Sequence, residues 1–541
     1  MFRALVFIAL FWSSAAFAAN GIAMHGDPKY PATATHLDYV NPDAPRRGTL
    51  TQSVAGTFDT LNPFTIQGKA AQGLDYVYDR LAARNWDEPF SLYGLIAKQL
   101  IVPADRSSIE FILDDRAKFQ DGTPIKASDV KFSYEMLKQY GLPNMRRVYQ
   151  LVTSVTIKGD RDIKFDLSAA HDRETVMILA MMPVLPEHDW KGRNFNATTL
   201  QIPVGSGPYK IKSVAIGHKI EYVRDPNYWA WNNLNRVGLF NFDRLVYDYY
   251  RDDSVALEAF KAHDVDVRRE FDTGKWQASY KDVAPNVKLE ELPHGRPEWV
   301  KGFIFNTRRA PFKDQRVREA ISLAFDADFV NQTLYRGAGH RITSIFPNTE
   351  LAGATAPAPL DKRDAMKRAD ALLTAAGWTV QNGRRVKNNA PLTFQILLST
   401  PADEKTALAF TEGLKRLGIT SNVRTVDAAQ FAGALAAYDY DVVLHYWVNT
   451  LSPGSEQMIY WGCDAAKTPG SKNYAGICDP AIDASARAIA AARDLDRRVM
   501  AQTLFVPLFT IGRDYWAYWN TLTHPEKTPL YGSVLESWWQ R

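Results

Sequence analysis

The sequence predicts an α/β protein of several domains, one region of which reads as α+β. Three observations lead there. At 541 residues the chain exceeds what one hydrophobic core serves, and about 150 residues per domain gives roughly two to four domains. The stretch Gly302 to Gly337 reads as a strand, a turn and two helices. Beyond Gly337, helical and strand patterns alternate, as they do in α/β domains.

Within that stretch, Phe303, Ile304 and Phe305 form a short apolar run suited to a buried strand. Pro311 cannot continue a ladder and restricts the residue before it, so Arg309-Ala310-Pro311 ends the strand. Asp314 is placed to cap a helix whose apolar positions Val317, Ala320, Ile321, Ala324 and Phe325 recur at helical spacing. Asp326 is placed to cap a second helix that stops at Gly337.

The N-terminus carries an export pattern. Arg3 precedes an apolar run from Ala4 to Trp12, and Ala16-Phe17-Ala18 is an A-x-A site with the expected cut after Ala18. The run is too short for a lasting anchor, no Cys follows the site, and no later stretch reaches about 18 uninterrupted apolar residues. The expectation is an exported, soluble mature chain. Cys463 and Cys478 lie close together in a Gly/Pro-rich loop, where an oxidising compartment makes a disulfide the default. Two further ligands at zinc-like spacing are missing from their neighbourhood. A net charge of +4 makes no electrostatic case for nucleic acid or a membrane surface. The 14 Trp and 24 Tyr favour ligand recognition through ring faces and polar handles.

In chain order, Ala23 to Leu61 reads as an extended arm entering a strand near Gly48-Thr49-Leu50, and Gly56 to Phe64 as a turn-rich loop. Leu74–Leu81 is expected to be helical. Ser108–Leu113 alternates as a strand, Ser128 is placed to cap a helix bearing Val130, Tyr134 and Leu137, and Val152–Ile157 with Ile163–Leu167 forms a hairpin. Met177–Leu185 reads as an apolar helix ended by Pro186. Strands follow at Tyr209–Val214, Lys219–Arg224 and Phe242–Tyr249, then a helix at Ser254–Ala262. Past Gly337, Ala365, Ala369, Leu372, Leu373 and Ala376 share a helical face, Leu408, Thr411 and Leu414 share another, and Phe431 and Leu435 a third. The intervening strands are Leu392–Ser399, Ser421–Val426 and Asp441–Trp447.

Motifs for bond chemistry are absent or out of context. Gly205-Ser206-Gly207 lacks the rest of a dinucleotide fingerprint and leads into a strand, so a tight turn accounts for it. The ten His are scattered, with no pair at helical ligand spacing, so no metal or cofactor is expected. No nucleophile elbow stands in a credible setting, whereas two separated acids of a glycosidase leave no local motif to find. The best binding candidate is the loop His445–Gly462, which leaves the C-terminal end of an expected strand with aromatics, amides, hydroxyls and a carboxylate together.

Several separated motifs resemble one family, the extracytoplasmic solute-binding proteins of family 5 that feed peptide-type ABC transporters. They are GTFDTLNP, KFQDGTPIKASDVKFSYEML, PVGSGPYKI, RDPNYWA, HDVDVRRE, FNTRRAPFKDQRVREAISLAFDADFV, KRADALLTAAGW and CDPAID, in the family's order over nearly the whole mature chain. Within the family, HGDPKYPATATHLDYVNPDAPRRGTL, LSPGSEQMIYWG and PGSKNYAGICDP look most like the YejA-type branch, which is associated with oligopeptide uptake and import of microcin C. The resemblance implies the two-lobed periplasmic binding protein fold with a hinge and an additional α+β domain inserted in lobe I. By analogy, 1–18 is the signal peptide, 19–64 an N-terminal arm of lobe I, 65–199 the insert, 200–305 the rest of lobe I, 306–500 lobe II and 501–541 a return to lobe I. Asn306 would sit at the hinge.

The implied function is capture of an oligopeptide or peptide-like solute, such as a microcin C-like compound or a cell-wall peptide, between the lobes. Delivery to membrane permease and ATP-binding subunits follows, with no enzymatic step, from a periplasmic monomer. Phe58, Asp59, Leu61 and Asn62 would face the ligand from lobe I, and Trp447, Asn449, Ser452 and Glu456 from lobe II. Many peptide-binding relatives carry an Asp after this strand that pairs with the peptide ammonium. Here Val448-Asn449-Thr450-Leu451-Ser452-Pro453 has no acid, which leaves Glu456 as the candidate counter-charge, or a ligand amine that is blocked or solvated. An exported hydrolase, and a binder of metal chelates using His445 and His294, are the competing expectations.

Overall fold

In the computed structural model, which describes residues 17–354, 360–488 and 491–541, the chain divides into two units. The expected signal segment, apart from Phe17 and Ala18, lies outside the described residues. Among the described residues no helix is long and apolar enough to cross a membrane.

The first unit comprises Met1–Arg269, Val283–Glu290 and Trp516–Arg541. Its main sheet contains β1 (Thr49–Ala55), β2 (Tyr209–Ala215), β3 (Lys219–Arg224), β4 (Arg244–Tyr250) and β5 (Val267–Glu270), in the order β2-β3-β4-β1-β5. β4 and β5 run parallel to β1, with Val246 opposite Thr51 and Val267 opposite Gln52. The crossover between β4 and β5 is α1 (Asp253–Lys261), capped by Asp252, whose carboxylate accepts from the Ser254 and Val255 amides at 3.0 and 3.1 Å.

The region expected to form an insert has its own five-stranded antiparallel sheet within this unit. The order is Phe17–Ala19, Ala97–Val102, Ser108–Leu113, Asp162–Leu167 and Val152–Gly159. Phe111 and Phe165 pack edge to face beneath Tyr134 of the helix Ala127–Tyr140. That helix begins one residue before Ser128, and the Asp129 carboxylate takes up the Lys126 amide at 2.8 Å. Ser128 is therefore inside the first turn rather than at the cap.

Leu74–Leu81 is not a helix beyond the single turn Leu74–Tyr76. The Val77 carbonyl accepts instead from the amides of Ser206 and Gly207, at 2.9 and 2.8 Å, and so is withdrawn from any helical ladder. A Cβ on Gly205 or Gly207 would lie 2.1 Å from the Val77 oxygen or 2.3 Å from the Tyr76 oxygen. Gly205-Ser206-Gly207 is thus a close backbone crossing, and its amides are already spent. The Met177 helix is also shorter than expected, Thr175–Ala180, because Met182 and Val184 use their backbone groups on Leu81 and Asp79.

The second unit comprises Glu270–Asp282 and Glu291–Tyr515. Its sheet contains β6 (Val300–Phe305), β7 (Thr393–Leu398), β8 (Thr420–Thr425), β9 (Val442–Trp447) and β10 (Phe505–Pro507), ordered β8-β7-β9-β6-β10. β7 is parallel to β8 and β9, while β6 is antiparallel to β9 and β10. Both faces are covered. Phe303, Phe305, Phe394, Ile396, Val442 and Leu444 pack on one side against α2 (Gln315–Leu323), α3 (Ala327–Leu334), α4 (Lys362–Ala375) and α5 (Glu404–Arg416). Val300, Ile304, Leu397, Val443, Trp447 and Phe505 pack on the other against Phe431 of α6 (Ala428–Ala437), Tyr460 and Trp461 of α7 (Glu456–Trp461), and side chains of α8 (Pro480–Arg487) and α9 (Ala492–Ala501).

Asp314 and Asp326 cap α2 and α3 through the Arg316 and Phe329 amides, at 2.9 and 3.1 Å. Gly337 follows at φ +81°. The buried face of α5 is rotated from the expected one. Phe410 packs on Phe303 and Phe325, with ring centroids 4.8 and 5.6 Å apart, and Leu408 is left 54% exposed.

The chain passes between the units at 269/270, 282/283, 290/291 and 515/516. This differs from the crossings expected at 305/306 and 500/501. β6 is an interior strand of the second unit's sheet, flanked by β9 and β10, so residues 291–305 and 501–515 belong with that unit.

Candidate functional site

β7, β8 and β9 point the same way, so their C-terminal ends share one rim of the second unit's sheet, where open α/β sheets present ligand-binding loops. Antiparallel β6 begins at that rim: Val300 stands opposite Trp447 and Lys301 opposite Tyr446. The residue before β6, Trp299, stacks on Tyr446 with ring centroids 4.3 Å apart and planes 14° from parallel, and is 54% exposed. Lys301 reaches Asp403, just before α5, at 2.7 Å. A broad aromatic face and a pair of opposite charges therefore stand together on the rim.

His445 lies on the other face of β9, among Phe431, Tyr446 and Tyr474 at ring distances of 5.5, 4.7 and 4.8 Å. Burial first, and then the positive charges of Lys472 and Lys301, push its pKa down to about 4. At neutral pH it is an uncharged imidazole.

The loop after β9 is held from beneath by side chains. Trp447 is buried, and its indole N–H donates to the Lys472 carbonyl at 3.0 Å. Asn449 is also buried: its amide donates to the Ile345 carbonyl, and its oxygen accepts from Gln457 at 3.2 Å. Gln457 accepts in turn from the Trp461 indole at 3.2 Å. Tyr460 donates to the Val448 carbonyl at 2.8 Å. Ser452 is buried, its amide donating to Thr450 Oγ1 at 3.2 Å. Both Glu456 oxygens accept from the Gly454 amide, at 3.0 and 2.9 Å, and Oε1 also from Gln457 at 3.0 Å. Trp447, Asn449 and Ser452 thus form the frame of the loop, and Glu456 is half-engaged in it. The groups left outward are Val448, Thr450, Ser455 and Ile459. A disulfide joins Cys463 to Cys478 and closes the segment that follows α7.

In the first unit, Phe58 is buried with its ring centroid 4.8 Å from that of Tyr249. Leu61 is buried as well. Asn62 is buried, donating to the Phe195 carbonyl at 2.8 Å and accepting from the Phe64 amide at 3.1 Å. Asp59 alone of the four is exposed, and one of its oxygens accepts from the Lys69 amide at 2.6 Å. Asn306 lies inside the second unit, buried, with its amide donating to the Tyr438 and Tyr440 carbonyls at 2.9 Å each.

The rim residues Trp299, Lys301 and Asp403 escaped the sequence reading because their partners are distant in the chain, Asp403 lying 102 residues from Lys301. Only the antiparallel register of β6 on β9 brings Trp299 onto Tyr446. Chemically the rim offers stacking, charge pairing and hydrogen bonding. Among the described residues no group of three or more His, Cys, Asp or Glu is arranged to hold a metal ion. His294, the partner expected for His445 in a chelate site, is buried and pairs with Glu298 at 3.4 Å.

Residues 91–468 match the family of bacterial extracellular solute-binding proteins, family 5. The chain is 35% identical to a protein of Agrobacterium fabrum named "Probable peptide-binding protein YejA", over 96% of this chain and 94% of the relative. It is 34% identical to the "Peptidoglycan-binding protein YepA" of the same organism, again over 96% and 94%. The crystal structure of NikA from Brucella suis, in complex with Fe(III)-EDTA, has the same fold: TM-score 0.73 at 19% identity, over 91% of this chain and 100% of that one.

Proposed function

Because the chain belongs to the bacterial extracellular solute-binding proteins of family 5, we propose that it is the solute-capturing component of an ABC importer, and that its solute is an oligopeptide or a peptide-like compound such as a cell-wall peptide. The observation that carries the peptide reading is the rim. The stacked pair Trp299–Tyr446 suits an apolar or planar side chain, and the Lys301–Asp403 ion pair beside it offers polar groups to a peptide. The names of the two Agrobacterium relatives point to the same class. In this reading the ligand's ammonium is blocked or solvated, since the Glu456 oxygens are engaged with Gly454 and Asp403 is paired with Lys301. The two lobes close on the solute because the closed state touches it from both sides, so binding shifts the population toward closure. No step of bond chemistry is involved, and the partners are the permease and ATP-binding subunits that receive the solute. The YejA-type branch is the assignment favoured within the family, and export by the N-terminal signal is part of the same proposal.

One experiment tests it. Mass spectrometry of protein exported by its own host, under denaturing conditions, should release an intact peptide and show a chain beginning at Ala19. Adding that peptide back to stripped protein should raise Tm in proportion to the logarithm of its concentration above Kd. Release of hydrolysed fragments, or a Tm indifferent to every peptide and muropeptide tried, would refute the proposal.

A further inference from the structure

The second unit contains a cavity of about 1340 Å³ away from the rim, between α2, α3, α4, α5 and the β10 edge of the sheet. None of Trp299, Lys301, Asp403, His445 or Tyr446 lines it. Arg341 does. The short strand His340–Arg341 pairs with Phe509–Thr510, which sets Arg341 opposite Phe509. Its guanidinium lies 4.8 Å from the centre of the Phe325 ring and 5.8 Å from that of Phe509.

The guanidinium has two aromatic faces beside it but no acceptor. Its Nη1 is buried without a hydrogen-bond partner among the described residues. Asp328 attracts it, yet no ion pair within 4.0 Å joins them. A guanidinium presents its N–H groups in a fixed fork that matches a carboxylate, and a buried N–H left unmet is costly. Two more deeply buried arginines of this unit are engaged by acceptors. Arg318 donates to the carbonyls of Phe312, Gln502 and Thr503, and Arg385 to those of Trp378 and Leu417 and to Asp370. Arg341 is thus set apart by having no acceptor among the described residues, while its side chain forms part of the cavity wall. Burial lowers its pKa to about 10, so it keeps its charge at neutral pH. The rest of the wall includes the apolar side chains of Met366, Ala409 and Leu504.

The structure assigns this cavity as a second binding site, for a small carboxylate with an apolar tail. Its carboxylate pairs with the positive charge of Arg341 at the cavity wall, and its tail lies along Phe325, Phe509 and the aliphatic wall. The site is independent of the peptide reading of the rim. A small aryl or alkyl acid fits this chemistry, whereas a neutral molecule of the same shape leaves Arg341 unmet.

Calorimetric titration of the full-length protein with 4-phenylbutanoate and with 4-phenylbutan-1-ol tests the assignment. The acid should bind at least about tenfold tighter than the alcohol, the effect of one charge-assisted pair. Arg341→Met should erase that preference. Ala409→Trp, which keeps Arg341 and fills the apolar wall, should weaken the acid by a similar factor and guards against a misfolded Arg341 variant. Trp299→Ala should leave the acid's affinity unchanged. Failure of the acid to bind, an equal preference in Arg341→Met, or loss of the acid in Trp299→Ala would each overturn it.

Discussion

His445 is the residue whose chemistry differs most from its appearance in the sequence. As a lone histidine on a binding loop it suggested a ligand, yet among Phe431, Tyr446 and Tyr474 it is a neutral packing group. Its folded pKa, about 4, lies below the ordinary value of 6.5. A histidine held neutral by burial contributes stability above about pH 6.5 that is lost as pH falls toward 4. Tm of the ligand-free protein should therefore decline through that window, and His445→Gln should flatten the decline. An identical slope in the variant would assign the pH dependence to other groups. The same reasoning applies to the loop residues around it. Trp447 and Asn449 were legible as important but not as buried, because residue type reports what a side chain can bond to and not whether protein has already occupied it.

At the scale of elements, local signals were read well where the backbone keeps its own hydrogen bonds. Asp314 and Asp326 both cap the helices expected of them. Elements failed where the backbone is shared with a distant segment, as Val77 is with Ser206 and Gly207. β6 shows how tightly such sharing constrains sequence. Gly302 faces β10 so closely that an added Cβ would lie 2.5 Å from the Val506 carbonyl oxygen. Gly302→Ala should destabilise the protein by about 1–3 kcal/mol through overpacking against rigid backbone, read as a lowered midpoint in urea. A midpoint within error of the parent would show that β10, a three-residue edge strand, yields at little cost.

For the whole molecule, the crossings of the chain decide where movement between lobes can originate. Three of them fall inside strands, Val267–Glu270, Val287–Pro293 and Arg513–Trp519, and Asn306 is remote from all three in sequence. Asn306→Ala should remove a donor shared by the Tyr438 and Tyr440 carbonyls and cost about 1–3 kcal/mol of stability. It should not alter how the lobes open and close. Small-angle scattering with and without the solute, beside urea denaturation, separates the two effects. A change in closure at unaltered stability would restore Asn306 to the hinge.

By itself the sequence determined the α/β class, the caps Asp314 and Asp326, the strand–turn–helix order from Gly302, and the family, because each rests on neighbours in the chain or on motifs that keep their order. The tertiary structure decided which rim residues face outward, where one unit ends and the next begins, and that Arg341 looks into a cavity. Those depend on strand register and on which distant backbone satisfies which polar group. Gly302 to Gly337 reads the same as a local pattern whether β6 closes one unit or lies within the next. Only its pairing with β9 and β10 placed it.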